Sequence, residues 1–187
     1  MFVLILGAPG SGKGTQGKLL AERLGIPKIA TGDILRAAVQ KDTPLGRQAK
    51  KFMDAGNLVP DTLILDLIKA ELATAAAREG AVLDGFPRTA AQAELVDALL
   101  AERGQRLNCV VLLDVDQEEL VRRIRERARL EGRSDDAESA IRTRLAVYQR
   151  DTAPLVAHYA PRGNLHRVPG AGSIEEIAEE IKRAVGR

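Results

Sequence analysis

The stretch that decides the fold is FVLILGAPGSGKGT at residues 2–15, where a short apolar run leads into a glycine-rich turn. Continuous apolar residues over 2–6 are typical of a strand buried on both faces of a parallel sheet. The glycines allow successive backbone N–H groups to point into one concavity, and Lys13 adds a positive charge at its mouth. Residues 14–24 have helical spacing, and a helix N-terminus attracts anions to the same place. The stretch therefore predicts a strand, a phosphate-binding loop and a helix.

The loop departs at one position from the common pattern G-x-x-x-x-G-K-[ST]. Gly14 follows the lysine, and the hydroxyl comes one place later, at Thr15. The pattern alone therefore does not assign Thr15 as a direct Mg²⁺ ligand. The alternative is a glycine-rich turn with an accidental lysine, which requires the strand, loop and helix to coincide by chance. The loop predicts binding of a nucleoside triphosphate but does not say which reaction follows.

Length and composition exclude several classes of protein. The 187 residues fit one domain with an aliphatic core, because aromatic residues make up only 3% of the chain. A net charge of +2 is not that of a nucleic-acid polycation. The single Cys109 excludes an intramolecular disulfide and a multi-cysteine zinc site. The apolar N-terminal run is too short to span a membrane and lacks signal-peptide features, so we expect a cytoplasmic protein with no nucleic-acid or membrane partner.

Short apolar segments alternate with amphipathic segments to the end of the chain. This order predicts an α/β fold with a parallel sheet covered on both faces. The candidate strands are residues 2–6, 28–30, 81–84, 109–114 and 165–168. Three residues are candidate helix N-caps, namely Asp61, Thr89 and Ser173, and the last completes a capping box with Glu176. Residues 31–60, with two helical patterns, and 127–136, a connection between two long helices, are predicted to be insertions on one domain.

Two predicted loops each pair an aspartate with an arginine. TGDILR at 31–36 follows the second predicted strand, and DGFPR at 84–88 follows the third. Because ligands bind beyond the carboxyl ends of such strands, both loops are expected beside the phosphate-binding loop. An arginine fork can hold a phosphate through two N–H groups, and Asp84 is suited to Mg²⁺ held directly or through water. The alternatives are that Asp33 caps a helix and that Arg88 lies at the surface.

An arginine-rich segment follows the fourth predicted strand. Acidic residues alternate with the arginines and aromatic residues are nearly absent, which argues against nucleic-acid binding. We expect Arg122, Arg125 and Arg129 to lie on a solvated helix face. Arg123 and Arg127 lie four residues apart and can reach a common target.

Four segments together resemble the nucleoside monophosphate kinases. They are GAPGSGKGTQ at 7–16, TGDILR at 31–36, DGFPR at 84–88 and Arg-x5-Arg-x-Asp-Asp at 127–136. Within that superfamily the chain is most similar to the adenylate kinase family, along its full length and with the motifs in family order. TGD alone would be weak evidence, whereas DGFPR combined with this phosphate loop is highly specific.

The resemblance implies a fold and its parts. It predicts a P-loop kinase fold, with a five-stranded parallel sheet and helices on both faces, in one domain spanning 1–187. Two mobile insertions are implied, an AMP-binding segment at 30–59 and a lid at 126–136. Only five residues separate Arg127 from Arg133, so the lid resembles the short form. The lid has no cysteine or histidine, so we expect no zinc.

The resemblance also implies the reaction MgATP + AMP ⇌ 2 ADP. ATP, AMP and ADP would be the partners and Mg²⁺ the cofactor, and we expect a monomer. Thr31 and Gln92 match adenine-selective members better than the uridylate/cytidylate kinases, which share nearly every other motif and are the first alternative. A P-loop switch or remodelling ATPase is the second, but it would need a partner-facing surface, whereas these arginines point to the nucleotide edge.

Roles for individual residues follow from the resemblance alone. The positions that match ATP contacts are Gly10, Ser11, Gly12, Lys13, Gly14, Thr15, Arg123, Arg127 and Gly172. Those that match AMP contacts are Thr31, Arg36, Asn57, Leu58, Val59, Gly85, Phe86, Pro87, Arg88, Gln92, Arg133 and Arg144. The implied catalytic charges are Lys13, Arg88, Arg127, Arg133 and Arg144. Asp84 and Asp33 would orient hydrated Mg²⁺.

Overall fold

The computed structural model describes residues 1–74, 76–131 and 137–186. Within them, five parallel strands form one sheet in the order β2-β3-β1-β4-β5. The strands are β1 (Phe2–Gly7), β2 (Lys28–Ala30), β3 (Ala81–Asp84), β4 (Leu107–Asp114) and β5 (Leu165–Pro169). Every predicted strand is confirmed, and β4 begins two residues earlier than its apolar run indicated. The phosphate-binding loop leaves the central strand β1.

Nine α-helices are present in the described part of the chain. They are α1 (Lys13–Leu24), α2 (Thr31–Gln40), α3 (Pro44–Asp54), α4 (Asp61–Ala73), α5 (Ala90–Ala101), α6 (Gln117–Glu131), α7 (Glu138–Val147), α8 (Leu155–Tyr159) and α9 (Ile174–Val185). A π-helical turn, Tyr148–Thr152, follows α7, and a 3₁₀ turn, Ala160–Arg162, follows α8. None of these helices has the length and apolar character that crossing a membrane requires.

The core has two layers, one on each face of the sheet. Phe2, Leu4 and Leu6 of β1 pack into the cluster that includes residues of α4, α5 and α8. Val3 and Ile5 face the opposite way, into the cluster that includes residues of α1 and α9. This alternation follows from the two-residue repeat of a strand. The predicted α/β fold with helices on both faces is confirmed.

Two of the three predicted N-caps are confirmed. Thr89 Oγ1 accepts a hydrogen bond from the backbone N–H of Gln92, and Ser173 forms the full capping box with Glu176. The prediction for Asp61 is wrong, because Pro60 is the N-cap of α4 and Asp61 is its first residue. The Asp61 carboxylate instead accepts a hydrogen bond from the side chain of Gln92.

The predicted connection at 127–136 begins too early. Helix α6 continues to Glu131, since residues 127–131 are good helix formers with no glycine or proline among them. The rest of that connection, residues 132–136, lies outside the described residues.

Candidate active site

A cleft of about 520 Å³ opens at the carboxyl ends of β1, β2 and β3, beside the start of α1. The structure thus brings most of the predicted phosphate-contacting residues to one edge of the sheet. Among the predicted site residues, the cleft is lined by Gly10, Gly12, Lys13, Gly14, Thr15, Asp33, Arg36, Leu58, Asp84, Gly85, Pro87, Arg88, Arg123, Arg127 and Arg144.

The phosphate-binding loop has a backbone that favours glycine. Gly10 and Gly12 have φ angles of 85° and 92°, in the left-handed region. A Cβ at Gly10 would also lie 2.8 Å from the carbonyl oxygen of Leu120, so the loop passes close to α6. Lys13 reaches back across the loop, and its Nζ donates to the carbonyls of Gly7 (2.7 Å) and Ala8 (2.8 Å).

The Lys13 ammonium lies in an unfavourable environment. Burial lowers its pKa from 10.5 to about 7; Asp84 opposes this shift, whereas the positive charges of Arg88, Arg144 and Arg127 reinforce it. These groups therefore converge on one small volume. Such a concentration of positive charge is suited to binding a polyphosphate.

Two carboxylates face the loop with a lysine between them. Lys28 Nζ lies 3.2 Å from Asp33 Oδ2, 3.9 Å from Asp84 Oδ2 and 3.3 Å from the carbonyl oxygen of Gly14. Partial burial tends to raise the pKa of Asp33, but hydrogen bonds from Arg36 and Lys28 outweigh it and hold the pKa below its usual value.

The donor set at this place fits Mg²⁺. Carboxylate oxygens are hard ligands, and no cluster of three or more histidine, cysteine, aspartate or glutamate side chains with metal-binding geometry occurs in the described residues. A metal ion beside Asp84 and Asp33 would therefore take most of its ligands from water and phosphate, as Mg²⁺ commonly does.

A narrower pocket of about 70 Å³ adjoins the cleft. The predicted AMP contacts that line it are Thr31, Arg36, Asn57, Leu58, Val59, Gly85, Phe86, Arg88, Gln92 and Arg144. The Thr31 hydroxyl donates to the Gly85 carbonyl (2.9 Å), and Arg88 Nε donates to the same oxygen (2.7 Å). The pocket thus joins a buried, mainly neutral region to the arginine-rich cleft.

Arg123 is held at the other end of the cleft. It donates to Glu119 Oε1 (2.6 Å) and to the carbonyl oxygen of Gly170 (2.9 Å). Hydrogen bonds from Arg122 and Arg123 lower the pKa of Glu119 to about 2, so the carboxylate stays charged at neutral pH. The orientation of Arg123 is therefore set by two partners.

Two of the described residues predicted for the site, Ser11 and Gly172, line neither the cleft nor the narrower pocket. Ser11 belongs to the phosphate-binding loop but is buried, with its Oγ 3.5 Å from Lys13 Nζ. Gly172 follows β5 and does not line the cleft, although Gly170 near it accepts the hydrogen bond from Arg123. Arg133 lies outside the described residues.

Sequence reasoning missed several residues that line or contact the site, and three of them bind residues predicted to act there. Lys28 pairs with the two carboxylates, Asp61 binds Gln92, and Thr152 donates to the backbone carbonyl of Arg88 (2.9 Å). Lys28 is identifiable in the sequence as a basic residue that begins a predicted strand. Nothing near Thr152 in the sequence indicates a contact with a residue 64 positions away.

Comparisons with known proteins agree with this geometry. A family model described as "Adenylate kinase" matches residues 5–164. The chain is 54% identical over 184 residues to an adenylate kinase of Thermus thermophilus, covering 98% of this chain and 96% of the relative. It is 49% identical to an adenylate kinase of Thermobifida fusca, covering 99% of this chain and 98% of the relative. It is 51% identical to one from Stenotrophomonas maltophilia, covering 99% of each.

Proposed function

The chain belongs to the adenylate kinase family, and on that basis we propose which role each group of residues in its cleft has in the reaction. The enzyme transfers a phosphoryl group reversibly between ATP and AMP, giving two ADP. The uridylate/cytidylate alternative is not favoured. The observation that carries the proposal is the convergence of the phosphate loop, Lys13 and Arg88 on a single cleft.

We propose that ATP binds with its phosphates in the loop Gly10–Thr15. The backbone N–H groups there and the N-terminus of α1 attract anions. On binding, Lys13 exchanges its contacts with the Gly7 and Ala8 carbonyls for phosphate oxygens. Bound phosphate would also favour its charged form. Arg123, held by Glu119 and by the carbonyl oxygen of Gly170, would contact the rest of the nucleotide together with the backbone at Gly172.

We propose that AMP binds in the adjoining pocket. Arg36 and Arg88 line both the pocket and the cleft, so their guanidinium groups are suited to holding the AMP phosphate at the junction. Thr31 and Gln92 would contact the base, with the backbone of residues 56–59 and 85–88 on either side of it. The acceptor oxygen would then face the terminal phosphate of ATP.

Catalysis would rest on positioning and on charge. Phosphoryl transfer needs little covalent help from a protein, so alignment and neutralisation of charge account for most of the acceleration. Lys13, Arg88, Arg127 and Arg144 are the described groups that would neutralise charge on the transferring phosphoryl, and Arg133 is proposed to join them. Closure of the segments at 30–59 and 126–136 would exclude water and prevent hydrolysis.

We propose Mg²⁺ as the cofactor that accompanies ATP, without zinc. When bound, it would neutralise part of the negative charge of the phosphates. Asp84 and Asp33 would hold its water ligands, and Lys28 would have to yield its present place between them. The single domain at 1–187, the monomeric state and the cytoplasmic location stay predictions.

The test is ADP formation by the purified protein with MgATP and one acceptor at a time. The acceptors are AMP, UMP, CMP, GMP and water alone. We expect rapid turnover with AMP and slow turnover with the others. A preference for UMP or CMP would contradict the proposed recognition of adenine by Thr31 and Gln92. Hydrolysis of ATP without an acceptor would contradict the proposed binding of ATP and AMP in adjoining parts of the cleft.

A further inference from the structure

The Gln92 side chain is held between a hydrogen-bond acceptor and a hydrogen-bond donor. Only 3% of Gln92 is exposed. Its Nε2 donates to Asp61 Oδ1 at 2.5 Å, and its Oε1 accepts from the backbone N–H of Arg88 at 2.7 Å. An ionised carboxylate can only accept and a backbone N–H can only donate. A 180° rotation of the amide would therefore break both hydrogen bonds and place the Gln92 oxygen against the Asp61 carboxylate oxygen.

The surroundings keep this arrangement in place. The backbone N–H of Gln92 donates to the Thr89 hydroxyl (3.2 Å), so the start of α5 is capped at this residue. The backbone carbonyl of Arg88 accepts from Thr152 (2.9 Å), which anchors the peptide segment that faces the amide. Both the amide and its backbone partner are thus held by groups outside the pocket.

An amide in a fixed orientation can pair with only one order of donor and acceptor on the edge of a base. Gln92 lines the narrow pocket and retains one N–H and one oxygen lone pair beyond those used by Asp61 and Arg88. The edge of a 6-aminopurine presents an amino donor beside the N1 acceptor. A 6-oxopurine presents the reverse, an oxygen acceptor beside the N1–H donor. An amide that suits the first edge is mismatched to the second unless it turns over.

We propose that Asp61 is a specificity-determining positioning residue. Asp61 holds the Gln92 amide in one orientation. In that orientation the acceptor pocket favours 6-aminopurine monophosphates and rejects 6-oxopurine monophosphates. This inference rests on the proposed placement of the AMP base beside Gln92. Asp61 is itself exposed, so its replacement does not open a cavity in the core.

The test compares AMP with IMP, which differs from it only at the 6-position and N1 of the base. Asp61→Asn is the informative variant, because an asparagine amide can donate as well as accept. Turning Gln92 over would then lose only the hydrogen bond from Arg88 instead of both. Asp66→Asn is the matched control, since Asp66 is exposed on the same helix and lines neither the cleft nor the pocket.

We expect the ratio of kcat/KM for AMP to kcat/KM for IMP to fall about tenfold in Asp61→Asn. The KM for ATP should not change, and Asp66→Asn should match the wild type in every parameter. An unchanged ratio, an equal fall for both acceptors or a raised KM for ATP would overturn the proposal. If wild-type protein does not prefer AMP over UMP and CMP, the proposed function fails instead, so the two failures are distinguishable.

Discussion

Replacing Lys13 with methionine should stabilise the nucleotide-free protein while it abolishes most of the activity. The Lys13 ammonium has its pKa lowered from 10.5 to about 7, chiefly by burial. A shift of that size corresponds to about 5 kcal/mol against the charged form in the folded chain. Methionine has similar length and carries no charge, so the substitution removes this cost.

The substitution also loses two hydrogen bonds, to the carbonyls of Gly7 and Ala8. At about 1 kcal/mol each, they reduce the gain by about 2 kcal/mol. We therefore expect a net stabilisation of about 2–3 kcal/mol at pH 7, or about 5–10 °C in Tm for a chain of this size. Loss of the phosphate contact should lower kcat/KM by about 10²–10³-fold.

The stabilisation should depend on pH in a defined direction. Because the folded pKa of Lys13 lies below its unfolded value, the cost is fully present below about pH 7. It shrinks as the pH rises, since the folded wild-type chain sheds the proton, and it disappears near the ordinary lysine pKa of about 10.5. The advantage of Lys13→Met should therefore be lost before that pH is reached.

Thermal unfolding at pH 6, 7, 8 and 9 without nucleotide, with steady-state kinetics at pH 7, gives the comparison. Lys69→Met is the control, because Lys69 is exposed on α4 and lines neither the cleft nor the pocket. It should leave both Tm and activity near the wild-type values. The reasoning is refuted if Lys13→Met lowers the Tm at pH 7, keeps near-wild-type activity, or shows a gain that does not vary with pH.

Three further substitutions test separate parts of the account. Arg88→Ala should lower kcat/KM for AMP by about 10²–10³-fold with ATP affinity largely kept; near-wild-type kinetics would contradict its role. Gly10→Ala combines a left-handed φ with a Cβ placed 2.8 Å from the Leu120 carbonyl oxygen, so calorimetry should show weakened ATP binding; unchanged affinity would argue against the loop geometry. Ser173→Ala removes the capping box of α9 and should cost about 1 kcal/mol, or about 2–4 °C in Tm, with unchanged kinetics; an unaltered Tm would show that the cap contributes nothing.

The central features of the fold were predictable because they depend on local pattern. The apolar run of β1 and the glycines after it specify a strand and a loop within fourteen residues. The segment at 31–36, which begins α2, and the loop at 84–88 each follow another strand, and parallel strands deliver the segments after them to one edge. The principal phosphate-contacting candidates could therefore be grouped before their distances were known.

Long-range partners were not predictable in the same way. Asp61 after Pro60 has the pattern of a helix N-cap, but its carboxylate binds Gln92, 31 residues away. The sequence predicts a strand that begins at Lys28 and indicates no role for its side chain, which lies between two carboxylates. Such contacts arise from packing between elements, whereas propensity and spacing describe only each element by itself.

The central claim is that ATP and AMP bind side by side in one cleft. It is tested most directly by a bisubstrate analogue, two adenosines joined through a chain of phosphates. Isothermal titration calorimetry with the nucleotide-free enzyme should show one analogue bound per chain. Because binding the second half becomes intramolecular, its affinity should exceed that of either nucleotide alone by at least 10²-fold. Prior addition of ATP or of AMP should weaken its binding. Two analogues bound per chain, or binding that one of the two nucleotides leaves unchanged, would contradict the account.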